Sequence, residues 1–151
     1  MGKLSDFSGM DIAQVTGRLV SAPFVADSMS QTVLVVDDDP ALRSVIAQIL
    51  AHGGYGVLTA DTFEAGQTAL NERLPDLLIV DVRLGAFNGL QLLATATRPI
   101  PALVLTGYED VTLKRAAHQF GAEYLVKPIA WDLLLAAVRR QLQSGQSSAI
   151  A

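Results

Sequence analysis

The sequence predicts an α/β fold: a doubly wound sheet of five parallel strands in the order 2-1-3-4-5, with helices on both faces. Three observations carry that expectation. Short apolar runs recur at residues 33–36, 77–80 and 102–105. Runs that are apolar throughout, rather than alternating, suit strands buried on both sides, as in a parallel sheet. The segments between them carry apolar residues at helical spacing; Leu42, Val45, Ile46, Ile49 and Leu50 fall at i, i+3, i+4, i+7 and i+8. Finally, right-handed crossovers leave few ways to connect such units.

Taken in order, residues 33–36 form the first strand, and the helix through Leu50 stops at His52-Gly53-Gly54. Residues 55–59 form the second strand. Asp61 followed by Glu64 reads as a capping box opening a helix through Leu70. Residues 77–80 form the third strand and 89–96 a short helix. Pro99 and Pro101 precede the fourth strand, 102–105. Leu113, Ala116, Ala117 and Phe120 make a further helical stripe, ended by Gly121. Residues 123–126 form the fifth strand and 131–142 the last helix. Residues 1–31 differ in composition and read as an extension, either a disordered tail or a short helix carrying Ile12, Val15 and Leu19. Residues 143–151, QSGQSSAIA, read as a flexible end, so the domain is expected to span 32–142.

The bulk properties exclude several classes. Net charge is −4 with a pI near 5.0, which disfavours direct nucleic-acid binding. There is no cysteine, so disulfides and thiolate metal sites are absent. No apolar stretch reaches membrane-span length, and Asp11 and Arg18 interrupt any secretory signal. A soluble, cytoplasmic protein without a membrane partner is expected. No DNA-binding or catalytic module is recognisable after residue 142.

The chemistry lies behind the strands. Asp37, Asp38 and Asp39 follow the first, Asp81 the third, Thr106 the fourth and Lys127 the fifth. Parallel strands share one C-terminal edge, and in this order strands one and three are neighbours at the switch point. Asp37, Asp38 and Asp81 should therefore converge, flanked by Thr106 and Lys127. Crowded carboxylates repel unless a cation relieves them. Such a hard-oxygen cluster suits Mg²⁺, with Mn²⁺ as the alternative. A lysine and a hydroxyl beside it would cradle a phosphoryl group.

These pieces, VVDDDP, LLIVDVRL with NGL, LVLTG and YLVKP, resemble the receiver domains of two-component response regulators over residues 32–142. The resemblance implies a flavodoxin-like (βα)5 fold and a phosphorylation-controlled switch. By that likeness Asp81 is the phosphoacceptor. Mg²⁺ is held by Asp38, Asp81 and the backbone carbonyl of Arg83, with Asp37 acting through a water. Thr106 and Lys127 contact the phosphoryl group, Tyr124 matches the switch aromatic, and the Lys127-Pro128 bond is cis. The implied partners are a histidine kinase or histidine phosphotransferase, an unidentified downstream protein, and a second copy through the face of helix 4, strand 5 and helix 5. That face would include Lys114, His118, Tyr124, Trp131 and Leu135. One departure stands out: Gly85 replaces the proline usual four residues after the phosphoacceptor, which should loosen the loop.

Two other readings compete. One is a phosphatase similar to the haloacid dehalogenase superfamily, with Asp37 as nucleophile and Asp39 as its partner; it leaves Asp81 without a role. The other is a receiver-like scaffold that takes no phosphate. Simpler roles also apply to single residues. Asp39, next to Pro40, caps the first helix. Tyr124 also fits half-buried packing. His52 and His118 read as solvated, as do Asp76 and Asp110 at turns or helix starts. Leu133-Leu134-Leu135 gives the last helix more apolar surface than one core stripe requires.

Overall fold

The computed structural model describes residues 30–150, with side chains described as far as Gly145. The expectations for residues 1–29 lie outside them. The elements run β1 (Thr32–Val36), α1 (Pro40–His52), β2 (Gly56–Ala60), α2 (Phe63–Glu72), β3 (Leu77–Asp81), β4 (Arg83–Leu84), β5 (Phe87–Asn88), α3 (Gly89–Ala94), β6 (Ala102–Thr106), α4 (Val111–Gln119), β7 (Glu123–Val126) and α5 (Trp131–Ile150). The main sheet is parallel with order β2-β1-β3-β6-β7, the expected 2-1-3-4-5 arrangement. β4 and β5 form a separate two-stranded antiparallel hairpin.

The apolar runs go where they must. β3 and β6 are buried at every position, while the edge strands β2 and β7 are mostly half-buried. Alternate side chains feed two cores. Leu34, Val36, Leu78, Val80 and Val104 pack with α2, α3 and α4. Val33, Val35, Leu77, Ile79, Leu103 and Leu105 pack against Ile46 and Leu50 of α1 and Leu134 and Val138 of α5. Burying each such side chain contributes about 1.5–3 kcal/mol, so the double cover is what fixes β1 and β3 side by side.

Two local expectations change, and one exposed residue gains a role. α2 is capped by Thr62, whose hydroxyl accepts from Ala65 N–H, rather than by Asp61. Thr62 stands where a three-residue reach meets the helix, and Asp61 is one position too early. Asp76 is exposed, as expected, and its carboxylate also accepts the Thr32 N–H at 2.8 Å, which pins the start of β1. Finally, α5 does not stop at Leu142 but runs to Ile150. No proline interrupts the segment, and Gly145 lets the helix lie against Pro101, where an added Cβ would stand 2.6 Å from the ring. Of the three leucines, Leu134 is buried, Leu135 partly so, and Leu133 is exposed. Among the described residues, no helix is long and apolar enough to cross a membrane.

Candidate functional site

The C-terminal ends of β1, β3, β6 and β7 enclose a cleft of about 360 Å³ lined by Asp37, Asp38, Asp39, Asp81, Arg83, Gly107, Tyr108 and Lys127. Sheet order brings Asp37 and Asp81 together, because Val36 and Val80 are register partners one residue earlier. Lys127 enters directly after β7, with its backbone N–H bonded to the Thr106 carbonyl at 2.7 Å and its peptide bond to Pro128 cis.

Each carboxylate has a different environment. Both oxygens of Asp81 are engaged: Oδ1 accepts the Arg83 N–H at 2.7 Å, and Oδ2 accepts the Lys127 ammonium at 2.5 Å. Asp37 is buried, and its Oδ1 accepts the Asp39 N–H at 2.9 Å. Among the described residues its Oδ2 has no hydrogen-bond partner, and it lies 3.9 Å from Lys127 Nζ. Burial, opposed in part by the Asp39 N–H, raises the Asp37 pKa from 3.8 to about 6, and repulsion from Asp81 adds to the rise. Asp38 is exposed, and its Oδ2 accepts the Gly85 N–H at 3.3 Å. Asp39 lines the cleft, but its carboxylate caps α1, accepting from Ala41 and Leu42 N–H. It is therefore not the free second carboxylate that a phosphatase built on Asp37 would need.

Two predicted residues lie off the cleft wall. Thr106 is buried at the end of β6, its hydroxyl donating to the Tyr108 carbonyl at 3.2 Å. Tyr124 is half-buried on β7, and its hydroxyl donates to that same carbonyl at 3.0 Å while accepting the Asp110 N–H at 2.9 Å. Thr106 and Tyr124 thus meet at a single acceptor. Across the mouth, the Arg83 guanidinium lies 5.6 Å from the Tyr108 ring centroid, a cation–π contact.

The start of α3 is built for close approach. Asn88 caps the helix with a full capping box, and a Cβ on Gly89 would stand 2.3 Å from the Asp81 carbonyl oxygen, so only glycine fits there. Arg43 was not foreseen: its guanidinium donates to the Asp37 carbonyl at 2.7 Å and braces the acidic turn. Its position one turn into α1, on the side facing the turn, was the only signal in the sequence.

Among the described residues, no three His, Cys, Asp or Glu side chains form a metal cage by themselves. The donor set nevertheless fits a hard divalent cation of the Mg²⁺ type, which takes one or two carboxylates and keeps several waters. The unpartnered, buried Asp37 Oδ2 beside Asp81 is the observation that supports it.

A family model described as the response regulator receiver domain matches residues 33–139. The C4-dicarboxylate transport transcriptional regulatory protein DctD of Pseudomonas aeruginosa is 34% identical over 126 residues, covering 81% of this chain and 27% of that protein. The response regulator MprA of Mycobacterium bovis is 38% identical over 120 residues, covering 76% and 52%. The chain thus spans about a quarter to a half of the length of these relatives. Among solved structures, the CheY-like receiver domain protein of Methanospirillum hungatei superposes with a TM-score of 0.73 at 26% identity, over 79% of this chain and 98% of that one. A response regulator of Burkholderia pseudomallei, described with a phosphorylated aspartic acid, calcium ion and citrate, gives 0.66 at 27% identity, over 80% and 73%.

Proposed function

The chain belongs to the response regulator receiver domain family, and from that membership we propose that it is a phosphorylation-controlled switch whose Asp81 accepts a phosphoryl group from a phosphohistidine on a histidine kinase or histidine phosphotransferase. The observation that carries this reading is the pairing of Asp81 with Lys127 at 2.5 Å beside the unpartnered oxygen of Asp37.

The roles follow from the contacts. The Arg83 N–H and Lys127 hold the Asp81 carboxylate in one orientation at the cleft floor. An Asp81 oxygen attacks phosphorus, the P–N bond to the donor histidine breaks with its electron pair left on nitrogen, and an acyl phosphate results. Lys127 then neutralises one phosphoryl oxygen, and the Thr106 hydroxyl, released from the Tyr108 carbonyl, donates to another. Asp38, Asp81 and the Arg83 carbonyl would hold Mg²⁺ or Mn²⁺, with Asp37 reached through a water. The cation supplies the positive charge that offsets the acid cluster and the equatorial phosphoryl oxygens. Hydrolysis of the product needs a water in line with the Asp81–phosphorus bond, and the Arg83–Tyr108 contact stands at that mouth.

The output is a binding surface. Loss of the Thr106 hydroxyl from the Tyr108 carbonyl loosens the loop that Tyr124 also grips. That loop leads into α4, so the change reaches the α4–β7–α5 face, which presents Lys114, His118 and Trp131 to solvent. A downstream protein or a second copy of the chain would read this face.

Calorimetric titration with Mg²⁺ tests the site. Saturable binding is expected in the native chain and none in Asp38→Ala, since Asp38 is the exposed carboxylate free to meet a hydrated ion. Equal affinity in the variant would move the cation elsewhere.

A further inference from the structure

The loop after Asp81 departs from the family pattern at Gly85, and that departure creates a contact. Gly85 has a φ of 63°, a conformation closed to proline, and its N–H donates to Asp38 Oδ2 at 3.3 Å. Gly85 and Ala86 turn the β4–β5 hairpin, whose strands have only two residues each. So short a hairpin does not hold its own position. Two anchors hold it instead. Leu84 is buried in the core, and its register partner Phe87 stacks on Phe63 of α2, with ring centroids 4.4 Å apart and planes at 23°. Phe87 is 41% exposed even with this stack in place, so the Phe63 ring covers one face of a side chain that solvent reaches on another.

We propose that the Phe63–Phe87 stack positions the cation site, making Phe63, a helix residue outside the cleft, a determinant of divalent-cation affinity. The inference rests on the Mg²⁺ reading above. The hairpin carries both the Arg83 carbonyl and the Gly85 N–H that orients Asp38. When the Phe63 ring is lost, the hairpin loses its outer anchor, and both groups lose alignment with Asp38. Partners that orient metal ligands typically change affinity by about 10- to 100-fold when removed. The stack acts one step further out, so a loss of about 3- to 10-fold is expected. The substitution alters no charge, which leaves geometry as the cause.

The test is Mg²⁺ titration of the full chain, by calorimetry or by the fluorescence of Trp131, its single tryptophan, at a temperature where every variant is folded. Phe63→Leu and Phe87→Leu should each weaken binding about 3- to 10-fold. Phe63→Tyr, which keeps the stack, should bind like the native chain. Melting temperatures in EDTA separate a binding effect from simple loss of packing. Unchanged affinity in Phe63→Leu, or loss in only one of the two leucine variants, overturns the inference while Asp38→Ala still abolishes binding. If Asp38→Ala binds as the native chain does, the cation reading itself fails and takes this inference with it.

Discussion

Incubation with a small acyl phosphate and Mg²⁺ should add one phosphoryl group to the chain, and Asp81→Asn should add none. Four aspartates line the cleft; Asp38 is exposed and accepts the Gly85 N–H, and the environments of the other three separate them. Asp37 has its pKa raised to about 6 by burial, and one of its oxygens is bonded to the Asp39 N–H. Asp39 is committed to capping α1. Asp81 is oriented from both sides by the Arg83 N–H and Lys127, with the positive charge placed where phosphoryl oxygens would develop. Intact mass reads the result. A base-labile label retained in Asp81→Asn would name another acceptor. No label in the native chain, with Mg²⁺ bound, would favour a scaffold that takes no phosphate.

Without divalent cation, the chain should be more stable near pH 4 than near pH 7 by the contribution of Asp37. Its pKa rises from 3.8 to about 6 on folding, because burial penalises the charged form. The folded state therefore holds this proton more tightly than the unfolded one. The stabilisation is fully present below about pH 4 and is lost as pH rises through about 6. A shift of about two units corresponds to about 3 kcal/mol. Other carboxylates oppose the trend, Glu123 among them, since its hydrogen bond from Arg140 lowers its pKa. The informative quantity is thus the difference from Asp37→Asn, which keeps an acceptor for the Asp39 N–H. Urea unfolding in EDTA should find Asp37→Asn about 2–3 kcal/mol more stable than the native chain at pH 7.5, and nearly equal at pH 4. Mg²⁺ should narrow the gap at pH 7.5. A pH-independent difference would mean that Asp37 does not titrate in that window.

The sheet and the convergence of Asp37, Asp38, Asp81 and Lys127 were legible because both follow from local pattern and topology. Continuous apolar runs such as LLIV report burial on two faces, and strand order then fixes which ends are neighbours. What stayed hidden depends on contacts between distant residues. The stack of Phe63 on Phe87 joins two segments that share no periodicity. The extension of α5 depends on its seat against Pro101, not on an apolar stripe. Arg43 braces the Asp37 carbonyl from α1, a contact that no spacing in the sequence announces. The shift of the α2 cap from Asp61 to Thr62 is a one-residue matter of reach, which composition does not encode. Thr106 and Tyr124 were singled out, yet their meeting at the Tyr108 carbonyl belongs to the loop geometry alone.

That shared carbonyl links the phosphoryl site to the α4–β7–α5 face. If a phosphoryl group at Asp81 draws the Thr106 hydroxyl inward, the Tyr108 carbonyl loses one of its two hydroxyl donors, and the loop held by Tyr124 shifts. A population change from mostly off to mostly on needs about 5 kcal/mol of differential stabilisation, within reach of a dianion gaining Lys127 and a hydroxyl in a sheltered cleft. Backbone amide shifts on adding beryllofluoride, a phosphoryl mimic, with Mg²⁺ measure this directly. The changes should begin at residues 81–90 and extend through Thr106, Tyr108 and Tyr124 to α4 and the start of α5, across 106–135. Changes confined to residues 81–90, with 106–135 unmoved, would contradict it.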